Sequence, residues 1–166
     1  MKLWLFLKVL LFSVFVPGTV AFYLPYRILN ATGSPAWNSS AWRLPALLLI
    51  AAGASIYLRC AWDFAATGAG TPAPIDAPKR LVVAGLYRYT RNPMYLGVGS
   101  VILGAAWFFG SLVLLGYLAV VLLTVNAFVL LYEEPTLKSR FGADYDAYCK
   151  AVPRWFVRLH PWNAGR

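Results

Sequence analysis

Apolar residues fill three long segments of the chain, and polar residues are concentrated between and after them. The first segment runs from Leu3 to Leu24, the second from Leu44 to Trp62, and the third from Tyr95 to Tyr132 without a charged residue. About 20 residues cross a hydrocarbon layer of about 30 Å. The first two segments therefore each predict one membrane-spanning helix, whereas the third is long enough for two. We expect these two to form a tight hairpin that turns near Gly110–Ser111.

The first apolar segment allows a second interpretation. Lys2 precedes the apolar run, and Thr19-Val20-Ala21 loosely imitates a signal-peptide cleavage site. The run is long for a signal peptide and continues through Phe22-Tyr23, which favours a permanent span. Pro17-Gly18 predicts a kink in this helix.

Composition supports a membrane protein, because 60% of the residues are hydrophobic, 13% are charged and the mean hydropathy is +0.62. Soluble domains average about 25% charged residues. In lipid every backbone amide must be bonded internally, so the apolar segments predict helices. The expected fold is an all-α integral membrane protein with about four transmembrane helices in a single domain, residues 1–166. Residues 1–67 would form an N-terminal helix pair, residues 68–78 a Gly/Pro/Ala linker and residues 79–166 a second half.

The charges predict an orientation in the membrane. Of the 15 basic residues, Arg27 and Arg43 fall outside in a four-span topology, Lys8 falls in the first span, and the others flank the opposite side. Basic residues collect on the cytoplasmic side, so both termini are expected there. The membrane would be the inner membrane in a bacterium or the endoplasmic reticulum in a eukaryote. The net charge of +9 is then explained by anionic headgroups rather than by nucleic acid.

Metal and disulfide sites have little support. The chain has one His and two Cys, Cys60 and Cys149, and none of the three is near another in sequence. Both cysteines would face the reducing side, so no disulfide is expected. Nothing in the sequence indicates an oligomeric state.

Two polar clusters flank the predicted hairpin. The first is "GLYRYTRNPMYLG" from Gly85 to Gly97, and the second follows the apolar run as "LYEEPTLKSRFGADYDAYCKAVPRWF". A hairpin brings both ends to one face of the membrane. Residues expected to lie near each other are Tyr87, Arg88, Arg91, Asn92 and Tyr95 from the first cluster and Glu133, Glu134, Tyr145, Tyr148 and Arg154 from the second.

Each of these residues alone is an ordinary interfacial anchor, since Tyr, Trp and Arg are common at membrane boundaries. Together they offer more than anchoring. Asn92-Pro93 would begin a helix and leave backbone amides free, the paired acids Glu133 and Glu134 would bind hydroxyl or ammonium groups, and tyrosine faces would attract a cation. The combination indicates a binding site.

These two motifs resemble the membrane methyltransferase superfamily that contains isoprenylcysteine carboxyl methyltransferases and phospholipid N-methyltransferases. The resemblance covers roughly Lys79 to Trp155. The family pattern reads approximately Gly-x-Tyr-x-x-x-Arg-His-Pro-x-Tyr-x-Gly, then Glu-Glu, then Phe-Gly-x-x-Tyr-x-x-Tyr and Val-Pro. The matching residues are Gly85, Tyr87, Arg91, Pro93, Tyr95, Gly97, Glu133, Glu134, Phe141, Gly142, Tyr145, Tyr148, Val152 and Pro153.

The resemblance implies a small helical membrane bundle whose C-terminal half and cytosolic tail hold S-adenosylmethionine. Asn92 stands where much of the family has His. Asn at this position also occurs in the phospholipid methyltransferase branch. The residues implied to bind the cofactor are Leu81, Val82, Tyr87, Asn92, Pro93, Met94, Tyr95, Glu133 and Glu134. Those singled out for catalysis are Arg91, Tyr95 and Glu133.

The methyl acceptor is expected to be lipophilic. The isoprenylcysteine branch has an arginine one turn before the paired acids, where this chain has Val129. Arg59 is the other membrane-boundary arginine that could bind a substrate carboxylate, so Val129 and Arg59 are the candidate substrate-binding positions. The missing arginine favours a lipid amine, or another small lipophilic nucleophile, over a prenylcysteine carboxylate. The alternatives are a non-catalytic lipid-binding or scaffold protein and an NADPH-dependent reductase relative.

Overall fold

A computed structural model describes residues 3–33, 43–67 and 81–163, and within these ranges all regular secondary structure is helical. The predicted linker at 68–78 lies outside the described residues. The helices are α1 (Leu3–Phe15), α2 (Leu24–Thr32), α3 (Arg43–Thr67), α4 (Pro93–Phe109), α5 (Leu112–Phe128) and α6 (Glu134–Ala151). Three continuous helical stretches in the described residues are long and apolar enough to cross a membrane, and α4 is a shorter apolar helix beside them. The predicted all-α membrane fold is confirmed.

The first span is longer than the sequence pattern predicted. A π-helical turn, Thr19–Tyr23, joins α1 directly to α2, so the helix continues to Thr32 rather than ending at Leu24. Pro17 interrupts the helix only locally, because Val16 donates to Phe12 at 2.9 Å and Val20 donates to Val16 at 3.0 Å on either side of it. The second proline of this stretch sits in the first turn of α2, where a missing N–H costs little.

The closest helix pair is α3 with α4, and glycines line the contact. A Cβ added to Gly53 would lie 2.6 Å from the carbonyl oxygen of Gly97, and one added to Gly104 would lie 2.9 Å from that of Ala46. Small residues allow this backbone approach, which is how helices associate where lipid removes the hydrophobic driving force. The helix α3 also ends five residues later than predicted, at Thr67 instead of Trp62. Asp63 is accommodated there because it pairs with Arg59 one turn earlier.

The predicted hairpin turn is confirmed. Gly110 ends α4 in the left-handed conformation with φ of 59°. The side chain of Ser111 then accepts from the backbone N–H of Leu114 and caps α5. A second π-helical turn, Val129–Glu133, connects α5 to α6 without a break. Inside α6 the backbone departs from helical geometry at Gly142, with φ of 51°.

Candidate active site

The segment before α4 forms one wall of the site. A short 3₁₀ turn, Gly85–Arg88, buries the ring of Tyr87 edge-on against Phe64, with ring centres 5.6 Å apart. The hydroxyl of Tyr148 donates to the backbone oxygen of Tyr87 at 2.7 Å. Burial, and secondarily the nearby Cys60 and Glu133, raise the pKa of the Tyr87 phenol well above its ordinary value. Tyr87 is therefore a neutral side chain at physiological pH.

The paired acids, Glu133 at the end of the π turn and Glu134 at the start of α6, point to different surroundings. Successive helical residues project about 100° apart, so neighbours on one helix can serve two environments. The hydroxyl of Tyr95 donates to Glu133 Oε2 at 3.0 Å. Glu134 instead accepts from Nε and Nη2 of Arg154 at 2.7 and 2.9 Å, and its Oε1 lies 3.1 Å from Arg91 Nη1. Glu133 thus faces α4, while Glu134 is held between two guanidinium groups.

Arg91 is more buried than its partner Glu134 and than Arg154, with 11% of its side chain exposed against 20% and 32%. Besides Glu134, its Nη1 donates to the sulfur of Cys149 at 2.6 Å. Its Nε is buried without a hydrogen-bond partner among the described residues. The hydrogen bond to Glu134 raises the pKa of its neighbour Arg154 above the ordinary value. Arg154 is therefore a permanent cation.

A segment that we name the C-terminal strap, Val152–Asn163, lies across the residues before α4. The carbonyl of Pro153 accepts from the backbone N–H of Arg91 at 3.0 Å. The carbonyl of Arg154 accepts from the side chains of Thr90 and Asn92, each at 3.2 Å. Further along, the strap binds Tyr89 and Arg88 through its own backbone amides. These bonds hold the start of α4 against the end of α6.

A cavity of about 180 Å³ lies between these elements. At one end it is polar, and the rest of its wall is apolar and comes from α1, α3, α4 and α5. The polar lining residues at this end are Tyr87, Arg91, Asn92, Tyr95 and Glu133, and Tyr57 adds a further phenol from α3. The apolar wall includes Phe12, Val16, Val20, Phe64, Val121 and Val125. Arg91 and Glu133 are the charged side chains that line it in the described part of the chain.

The two polar clusters meet as predicted from the hairpin, through Tyr95 with Glu133 and Arg91 with Glu134. Arg88 lies in this region as well, but its side chain binds Trp162 and Asn163 of the strap.

Among the residues proposed for cofactor binding or catalysis, Tyr87, Arg91, Asn92, Met94, Tyr95 and Glu133 line the cavity. Pro93 is buried at the start of α4. Leu81 packs beside Tyr145, and Val82 packs near Cys60 and Tyr87. Their individual roles remain predictions.

The two candidate substrate-binding residues and Glu134 lie outside the cavity wall. Val129 is buried in the π turn with 1% of its surface exposed. The side chain of Arg59 is 62% exposed and pairs with Asp63 at 3.4 Å.

The sequence did not identify which residues of the first helix line the cavity. Phe12, Val16 and Val20 close one side of the cavity, but no polar or turn signal distinguishes them from lipid-facing residues. A larger groove of about 890 Å³ runs beside them between the first helix and α3–α4, and it shares Pro17, Tyr57 and Val98 with the cavity. The surface of this groove is mainly apolar, although Ser13, Thr19 and three tyrosines are among its lining residues.

Comparison with known proteins identifies the family. No curated protein matches the chain. No solved structure matches it either. Residues 42–144 match the family model for phospholipid methyltransferases. This range holds α3, α4, α5 and most of α6, including the paired acids and the residues that begin α4. Because the match covers more than half of the chain, the protein belongs to the phospholipid methyltransferase family.

Proposed function

We propose that this chain transfers a methyl group from S-adenosylmethionine to a lipophilic acceptor in the membrane. Family membership supports methyl transfer. The finer proposal rests chiefly on the cavity, which joins a compact polar end to a long apolar wall within a membrane protein. An interfacial anchor needs no such enclosed polar group, because anchoring side chains reach the headgroups directly.

The residues of the polar end suit S-adenosylmethionine. Its methionyl end is a zwitterion, and the cavity is lined by one carboxylate, Glu133, and one guanidinium, Arg91. The buried Nε of Arg91 lacks a partner among the described residues, and a buried unsatisfied donor costs about 1–3 kcal/mol. A carboxylate bound there would remove that cost. Tyrosine faces at Tyr87 and Tyr95 suit a sulfonium cation.

When bound, S-adenosylmethionine supplies an electrophilic methyl group on a sulfonium sulfur. The chain contributes position and environment. Glu133 and Arg91 would orient the methionyl end, and Tyr95 fixes Glu133 by its hydrogen bond of 3.0 Å. The apolar wall excludes water, which strengthens these charge interactions. The rings of Tyr87 and Tyr95 would attract the sulfonium through their faces rather than through a fixed negative charge.

A lipid amine is the acceptor class that we favour. The groove beside the first helix adjoins the cavity and shares Pro17, Tyr57 and Val98 with it. We propose that a lipid chain lies in this groove while its headgroup reaches the polar end. A protonated amine must lose a proton before it can attack, and Glu133 is the carboxylate that lines the cavity to receive it. A substrate carboxylate would need a buried cationic partner, and Val129 supplies none. Arg59 is exposed and engaged by Asp63.

We further infer that both termini and the site face the cytosol, where S-adenosylmethionine is available. The excess of basic residues on that side supports this orientation.

The proposal is tested with protein purified in detergent, by titration with radiolabelled S-adenosylmethionine and a methyl-transfer screen. The screen compares phosphatidylethanolamine with a farnesylcysteine analogue. We expect saturable cofactor binding and transfer to the amine. Efficient esterification of farnesylcysteine with no transfer to the amine would overturn the acceptor assignment. Absence of cofactor binding would return the protein to the lipid-binding alternative, and NADPH binding in its place would support a reductase.

A further inference from the structure

The C-terminal strap presents three large apolar side chains to its surroundings. Phe156, Val157 and Leu159, which we name the apolar tip, are 81%, 66% and 91% exposed. The backbone around them is pinned, because Arg158 donates to the carbonyl of Tyr89 and Trp162 to that of Arg88, each at 3.0 Å. The tip is therefore a held loop and not a fraying end. Exposed apolar groups of this size on a fixed backbone are typical of a contact surface.

The position of the tip along the membrane normal follows from its neighbour Trp155. The indole N–H of Trp155 donates to Asn126 Oδ1 on α5 at 3.0 Å, and its ring lies 6.5 Å from that of Tyr95. Counted from Leu112, about 20 residues reach the far edge of the hydrocarbon layer near Leu131. At 1.5 Å per residue, Asn126 lies about 8 Å inside that edge. This count places Trp155, and the residue that follows it, close to that edge of the hydrocarbon layer.

Charge around the tip favours one kind of surface. From Ala147 to Asn163 the chain contains no acidic residue. Its basic residues are Arg154, which is paired with Glu134, and Lys150 and Arg158. Basic residues beside aromatic and aliphatic ones are the pattern of interfacial membrane binding, and anionic lipids attract them. Lipid is already present at this level, because the apolar stretch that contains α5 ends nearby. A protein partner would have to displace that lipid.

We propose that the apolar tip inserts into the anionic leaflet on the side of the site and thereby holds the C-terminal strap over the start of α4. The strap reaches the site through Arg154, whose carbonyl accepts from Thr90 and Asn92 and whose side chain binds Glu134. Contact between the tip and the leaflet would therefore help to hold the residues that line the cavity in fixed positions. This inference rests on the fold and holds whichever molecule is methylated.

Photo-crosslinking tests the contact directly. Phe156→p-benzoylphenylalanine is compared with the same replacement at Ala147, an exposed position on α6, in nanodiscs that contain phosphatidylglycerol. We expect lipid adducts at position 156 in several-fold excess over position 147. Adducts to a second copy of the chain, or equal lipid labelling at both positions, would overturn the proposal.

Hydrogen exchange tests the link to the site. The variant Phe156→Ser/Leu159→Ser is compared with Leu112→Ser, which changes a side chain that is 81% exposed at the opposite end of the hairpin. The tip variant should exchange the backbone amides of Arg91 and Arg158 several-fold faster than the unaltered protein in phosphatidylglycerol nanodiscs. Leu112→Ser should leave these amides protected. Equal protection in the tip variant and the unaltered protein would refute the link, and neither readout requires methyl transfer.

Discussion

Removing either of the paired acids should have different consequences, because the structure gives them different partners. Glu134→Ala removes the carboxylate from Arg91, whose side chain is 11% exposed, and from Arg154, which is 32% exposed. Breaking a fully buried pair costs about 3–5 kcal/mol. The exposed arginine contributes far less than the buried one. We therefore expect a loss near the lower end of that range, about 3 kcal/mol, in the free energy of unfolding.

Glu133→Gln should weaken cofactor binding with little loss of stability. The amide still offers an oxygen to the hydroxyl of Tyr95, so the local contact survives while the charge is lost. A charge-assisted hydrogen bond contributes about 1.5–3 kcal/mol, which corresponds to a rise of about 10- to 150-fold in the Kd for S-adenosylmethionine. Glu134→Ala should raise the Kd as well, but only together with a lower melting temperature.

The assay combines thermal unfolding in detergent with equilibrium binding of the labelled cofactor for both variants. Glu134→Gln is the matched control, because it keeps the size of the side chain and one acceptor oxygen. It should unfold at a temperature between those of the unaltered protein and Glu134→Ala. An unchanged melting temperature in Glu134→Ala, or equal destabilisation by Glu133→Gln, would show that the division between the two acids is wrong.

Three further outcomes are expected. Gly97→Leu should lower the melting temperature sharply, since a Cβ there would lie 2.8 Å from a backbone oxygen of α3. Gly116→Leu is the control and should be neutral, because a Cβ at Gly116 meets nothing within 4 Å. Equal effects of the two substitutions would contradict close α3–α4 packing. Trp155→Phe and Asn126→Leu should each destabilise the protein by about 1 kcal/mol. Their effects should be coupled in a double-mutant cycle, because one hydrogen bond joins the two side chains. Fully additive effects would show that the two residues do not interact. Reporter fusions at Asn38 and at the C-terminus should report opposite sides of the membrane, and a report of the same side would exclude the proposed topology.

The sequence predicts those parts of the fold that depend on local signals. Gly110-Ser111 marked the hairpin turn because glycine adopts a positive φ without strain and serine caps a helix. Asn92-Pro93 marked the start of α4, since proline is tolerated at the first helical position. Once the hairpin is known, the meeting of Tyr95 with Glu133 follows from its geometry.

Other features depend on contacts that no local pattern specifies. The π turn at Val129–Glu133 adds a residue to one helical turn and changes where the following acid points, but its sequence, VLLYE, is ordinary for a membrane helix. Phe12 and Val16 line the cavity only because the first helix packs there. The strap has no apolar periodicity, because its structure comes from backbone bonds to residues about 60–75 positions earlier.

The site is built from pairs that are distant in sequence, and this explains why its charges can be held near a membrane. Arg91 and Glu134 are brought together by the hairpin, and Arg154 reaches the same carboxylate only after α6 and the strap have returned. A charge left alone at this depth would be costly, whereas a carboxylate shared by two guanidinium groups is compensated on both sides. Glu134 therefore satisfies the structural need for an anion, which leaves Glu133, supported by the neutral hydroxyl of Tyr95, to face the cavity. One of the two adjacent acids thus holds the strap to the bundle, and the other lines the cavity.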